Sequence, residues 1–153
     1  MIVVLLVAST IVSCKRGYDR EDLIGVWRVE KMTGVSDADF DRTVWIMEFD
    51  DDGTHRNYIF DLDRDFDDQD AVLDAGSLLM SGEWSLNDGI IEVETPLGAE
   101  DVTIEIESLD DEEFVMRHGT MKETLTCRRF ADDMEDAAMK MAAMKVKRRK
   151  SRF

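Results

Sequence analysis

Residues 102–118 read VTIEIESLDDEEFVMRH. Val102, Ile104 and Ile106 alternate with Thr103, Glu105 and Glu107, the period of a strand with one face on a core and the other in water. Asp110, Asp111 and Glu112 interrupt the pattern, and Phe114 and Met116 resume it, so the segment predicts two antiparallel strands joined by a short acidic turn. A face so rich in carboxylates has to be solvated, because unpaired charges are costly to bury.

The same period extends outward in both directions. Toward the N-terminus lie IGVWRVEKM (24–32), VWIMEF (44–49), THRNYIF (54–60), LLMSGEWSL (78–86) and IIEVET (90–95), and toward the C-terminus TMKETLTCRRF (120–130). Asp52-Gly53 and Asp88-Gly89 read as two-residue hairpin turns with positive φ at both central positions. Eight short strands in succession predict an all-β fold, an eight-stranded antiparallel up-and-down barrel whose closure removes sheet edges. Alternation sends Trp27, Val29, Trp45, Met47, Phe49, Met80, Trp84, Leu86, Leu125 and Cys127 inward with the apolar set of 102–116, and makes Gly82 the inward position that leaves space. Glu92 and Glu94 join Asp101, Glu105 and Glu107 on the water side.

The 153 residues, 44% hydrophobic, suffice for one domain with its own core. A formal net charge of −16 argues against a nucleic-acid partner, since phosphate binding needs clustered Lys and Arg. The charge is uneven: residues 132–153 carry 7 bases and 4 acids, so an acidic body ends in a basic tail. In that tail, Met134, Ala137, Ala138, Met141 and Met144 form an apolar stripe at helical spacing, and acids at the start with bases at the end suit the helix dipole. Three roles remain open for Lys145, Lys147, Arg148, Arg149, Lys150 and Arg152: a frayed end, a contact with anionic lipid head groups, or a contact with the protein's own acidic strands.

At the other terminus, IVVLLVASTIV (2–12) is apolar but too short to span a bilayer. The IVSC that closes it (11–14) resembles a bacterial lipobox, which implies cleavage before Cys14 and acylation of that cysteine. No Lys or Arg precedes the apolar run, a departure from ordinary export signals. The expected organisation is a signal peptide at 1–13, a tether at 14–22, a barrel at 23–131 and an amphipathic helix with a basic tail at 132–153. Once Cys14 is acylated, Cys127 has no partner for an intramolecular disulfide. Lys15 directly after Cys14 resembles the outer-membrane rather than the inner-membrane sorting pattern.

Four stretches in order, LIGVWRVEKM (23–32), MEFDDDGT (47–54), GEWSLNDG (82–89) and IESLDDEEFVM (106–116), resemble the small lipocalin-like, calycin-type domains of bacterial envelope lipoproteins. The resemblance implies a calycin-type barrel followed by coil or helix, in the periplasm or at the outer membrane. It suggests a small apolar ligand, and the residues themselves offer no catalytic constellation and no cofactor motif. It also implies that Trp27 closes the base of the barrel, and by alternation Arg129 is the basic residue over its indole.

The interior is either filled by Trp27, Trp45, Phe49, Trp84 and Phe114 or retains a pocket. In the second case Trp45, Met47 and Trp84 would line it, and Tyr58 and Phe60 would rim its mouth. An envelope protein as partner of a filled barrel is the alternative. The acidic run FDLDRDFDDQD (60–70) places Asp61, Asp63 and Asp65 at the first calcium-loop positions, but Phe66 and Val72 stand where glycine and glutamate are needed. It offers at most weak divalent-cation association, with no metal site assigned. His55 and His118 fall in no ligand or triad spacing, and Cys127 reads as a buried, inert thiol.

Overall fold

Alternation along the chain becomes two buried faces in space. The computed structural model describes residues 17–36, 43–62, 76–96, 100–119 and 123–151, excluding the side chains of 146 and 148–151. A short helix, α1 (Arg20–Leu23), leads into β1 (Gly25–Met32), β2 (Thr43–Phe49), β3 (Thr54–Asp61), β4 (Ser77–Asn87), β5 (Ile90–Glu94), β6 (Val102–Leu109), β7 (Glu113–His118) and β8 (Thr124–Ala131). A final helix, α2, spans Met134–Ser151. Neighbours in sequence are neighbours in the sheet, and β8 returns to pair with β1, closing an antiparallel barrel.

The inner face buries Trp27, Val29, Met47, Phe49, Trp84, Ile104, Ile106, Phe114, Met116, Leu125 and Cys127 as one cluster. Its aromatic centre packs edge to face, with Trp27 on Phe114 at 5.6 Å and Phe49 on Trp84 at 5.2 Å between centroids. The outer face of β8, β1, β2 and β3 is apolar too. There Val26, Val44, Ile46, Phe60 and Ala131 pack on Ala137, Ala138 and Met141 of α2. The small Ala137 and Ala138 let the helix approach the sheet closely. On the far side, Glu92, Glu94, Glu105 and Glu107 stay exposed, and Arg117 of β7 reaches across to Glu105 and Glu107.

One end of the barrel is closed by a network centred on Arg129. Its guanidinium lies 4.3 Å over the Trp27 ring. Nη1 donates to the Ile24 carbonyl at 2.8 Å, Nη2 to that of Asp22 at 2.7 Å and Nε to that of Asp111 at 2.9 Å. The Trp27 indole N–H donates to the Leu23 carbonyl at 2.8 Å, so α1 is held across the base with Leu23 fully buried beneath it. Gly25 makes room: its φ is 131°, and a Cβ there would stand 2.8 Å from Arg129 Nη1. Arg20 of α1 stacks 4.8 Å from the Trp84 ring and donates to the Asp51 carbonyl at 3.2 Å, and Trp84 donates to the Asp50 carbonyl at 3.1 Å. Residues 18–22, expected to be tether, therefore belong to the folded base, where Tyr18 also packs on the inner cluster.

Two further expectations are corrected. Asp88 and Gly89 both have positive φ, as a two-residue turn requires, but in the β2–β3 loop only Gly53 does. That hairpin uses three residues: Gly53 N–H bonds to the Asp50 carbonyl at 3.2 Å, and Asp50 N–H to that of Thr54 at 2.8 Å. Gly82 leaves no space, because a Cβ there would lie 2.2 Å from the Glu94 carbonyl oxygen. It is a close approach of β4 and β5, not a gap.

Arg129→Ala should destabilise the barrel by about 2–3 kcal/mol in urea unfolding, since three carbonyls and an indole face lose their partner at once. Arg129→Lys should recover less than half of that loss, because an ammonium is a point charge without the planar fork.

Candidate functional site: the barrel interior

Away from α1 the inner face changes character. Met32, Trp45, Met80 and Val102 sit toward the opposite end and are only partly buried. Asn57 of β3 and His118 at the end of β7 share this half of the interior, whereas His55 sits nearer α1, just after the β2–β3 hairpin and in register with Phe49, which itself pairs with Gly25. Strand register places His55 beside Phe49 and Gly82, and Asn57 beside Met47 and Met80.

His55 is 0% exposed, with its ring tilted against Phe49 at 4.6 Å. Nδ1 lies 2.9 Å from the Glu48 carbonyl oxygen. A carbonyl only accepts, so in the neutral ring Nδ1 carries the proton and Nε2 presents a lone pair. Nε2 is buried and has no hydrogen-bond partner among the described residues. A buried acceptor in that state costs about 1–3 kcal/mol. Desolvation pulls the imidazole pKa down to about 4, and nearby His118 opposes protonation as well, so the ring is neutral at pH 7. The Trp45 indole N–H donates to Asn57 Oδ1, and the Asn57 amide N–H pair makes no other hydrogen bond among the described residues.

The five residues expected to line or rim a pocket do not share one surface. Trp45, Met47 and Trp84 belong to the inner cluster, whereas Tyr58 and Phe60 lie on the outer face with α2, 5.9 Å apart between ring centroids. Strand β3 has bulky side chains on one parity and His55 and Asn57 on the other. The bulky parity, expected at the rim of a mouth, is instead an outer face covered by helix. The signal that could have found His55 is its hairpin position opposite Phe49. Trp27 and Arg129 meet at the closed base, away from the polar half.

Cys14 lies outside the described residues, as do residues 63–75, which hold most of the acidic run. Among the described residues no group of three or more His, Cys, Asp and Glu is arranged to hold a metal ion. Cys127 is fully buried, and burial pushes its thiol pKa far up, away from nucleophile chemistry. A surface cleft of about 410 Å³ beside Asp111, Arg128 and Lys140 is lined by charge, and its cations are already engaged: Arg128 with Glu30 at 3.5 Å and Lys140 with Asp136 at 2.7 Å. No described helix is long and apolar enough to cross a membrane.

No protein-family model and no curated protein sequence matches the chain. Among solved structures, the bovine lipocalin allergen Bos d 2 is similar, with 12% identity over 86% of this chain and 88% of that one and a TM-score of 0.39. The barrel assignment rests on the strand ladder itself.

Burial of neutral His55 has a pH signature. The unfolded imidazole protonates near its ordinary 6.5 and the folded one only near 4, so the stability it supports is complete above pH 6.5 and lost as pH falls toward 4. The loss should reach about 3 kcal/mol, and His118, also depressed by burial, acts in the same direction. In urea unfolding at pH 7.5 and 4.5, His55→Phe should show a much smaller drop than the parent, with the carboxylate contributions common to both.

Proposed function

We infer that the chain is a membrane-tethered binding module of a bacterial cell envelope, taking a small apolar molecule into the half of its barrel opposite α1. The observation that carries this reading is the asymmetry of the interior. One end is packed with aromatic rings and held shut by Arg129, the other offers partly buried Met32, Trp45, Met80 and Val102, and deeper in, against Phe49, His55 Nε2 has no partner among the described residues. An apolar surface with a few placed polar atoms is what a small-molecule site consists of. The reading is of binding, not catalysis.

The IVSC stretch supports the tether, and the fold bears on the orientation it would impose. If Cys14 carries acyl chains, only residues 15–17 separate it from Tyr18 at the base, a reach of about 14 Å at most. The closed end then faces the bilayer and the polar half of the interior faces away. Helix α2 starts beside Ala131 at the base and has Met144 against Arg28 further up β1, so its basic end also points away from that bilayer. This arrangement weakens the lipid head-group role for the tail. A second reading, docking of an envelope protein, is favoured by Leu78 and Leu79 at the start of β4, each 54% exposed.

Native mass spectrometry of protein extracted from its own membranes should show a co-purifying lipophile, and repeatedly adduct-free spectra would overturn the carrier reading in favour of docking. Cys14→Ala should move the protein from the membrane to the soluble fraction. Unchanged fractionation would overturn the anchor.

A further inference from the structure

The geometry points to His55 Nε2 as the anchor for the head of the ligand, and it selects a neutral hydroxyl over a carboxylate: the barrel takes an apolar alcohol. This rests on the binding reading above and specifies its chemistry. The Glu48 carbonyl fixes the tautomer through Nδ1, so the atom left over inside the barrel can only accept. An alcohol donates its O–H to that lone pair. An ionised carboxylate has only acceptors and would set its charge against that lone pair, and full burial of the ring opposes the protonation that would turn Nε2 into a donor. An ether of the same length fills the same space and leaves Nε2 unsatisfied.

Asn57 sharpens the choice. It lies two residues along the same inward face, and its amide N–H pair is available to donate while Oδ1 accepts from Trp45. A hydroxyl can give its proton to one of these groups and accept from the other, which a carboxylate and an ether cannot. Phe49 and Met47, adjacent to the two polar residues on β2, supply the apolar wall for the chain behind the head.

The test uses the purified full-length protein at pH 7 with 1-aminoanthracene as the reporter, displaced by 1-decanol, by decanoate or by decyl methyl ether. Decanol should displace the dye at concentrations about tenfold lower than either of the others, the factor expected when a buried acceptor gains its partner. His55→Phe should bring decanol and the ether to equal potency while both still bind. Because that variant replaces a core side chain, a second measurement is made on the unaltered protein: the ¹⁵N resonance of His55 Nε2 should move upfield on saturation with decanol and stay in place with the ether. Equal potency of all three compounds with an unmoved Nε2 resonance would overturn the role of His55 and leave the apolar binding module standing. Failure of all three to displace or bind would overturn both.

Discussion

Closure of the barrel at one end depends on Arg129 having every arm of its guanidinium occupied. The group lies flat on Trp27 while its three nitrogens collect carbonyls from Asp22, Ile24 and Asp111. Those acceptors come from the chain before β1 and from the β6–β7 turn, so one side chain ties the start of the fold to its end. The positions around it follow from that demand. Residue 25 must be glycine because a Cβ would collide with the guanidinium, and residue 27 must be a large flat ring with a donor, since its indole N–H in turn holds the Leu23 carbonyl. Glycine at 25 and tryptophan at 27 are therefore a steric and hydrogen-bonding requirement of the closed end.

With the base fixed, the two faces of the sheet divide the work. The inner face is packed where it meets α1 and becomes looser and more polar along the barrel. The outer face is apolar only where α2 lies on it, and acidic where water does. Within the acidic region Arg117 relieves Glu105 and Glu107 across neighbouring strands, but most carboxylates there are simply solvated. The one buried carboxylate on the outer face among the described residues, Glu48, has its pKa raised by desolvation and is compensated by Arg56 at 2.8 Å. Charge in this protein is thus kept off the interior, where the polar capacity of His55 and Asn57 is neutral.

Much of this was legible beforehand, for a physical reason. Side chains in a strand alternate whatever the strand pairs with, so Trp27, Met47, Phe49, Trp84, Phe114 and Cys127 could be assigned to one face from parity alone. The helix stripe at Met134, Ala137, Ala138 and Met141 was legible on the same ground. Parity does not say which face is inside when both are apolar. Tyr58 and Phe60 therefore read as the rim of a mouth although they sit under a helix, and His55, which falls in no ligand or triad spacing, is among the most buried residues. Gly82 misled differently: absence of a side chain reads as space, but here it is what lets two backbones touch.

By itself the sequence determined the strand count, the hairpin order, the inward parity of six strands and the apolar face of the final helix, because these depend on local period and turn chemistry. Only the tertiary structure decided that residues 18–22 form the base, that Arg129, expected over Trp27, also collects the carbonyls of Asp22, Ile24 and Asp111, and that an unspent acceptor lies inside the barrel. Each of those depends on atoms brought together from distant parts of the chain: Asp22 with Arg129, Arg20 with Trp84, His55 with His118. Periodicity carries no information about such distances, since they are set by how the sheet closes.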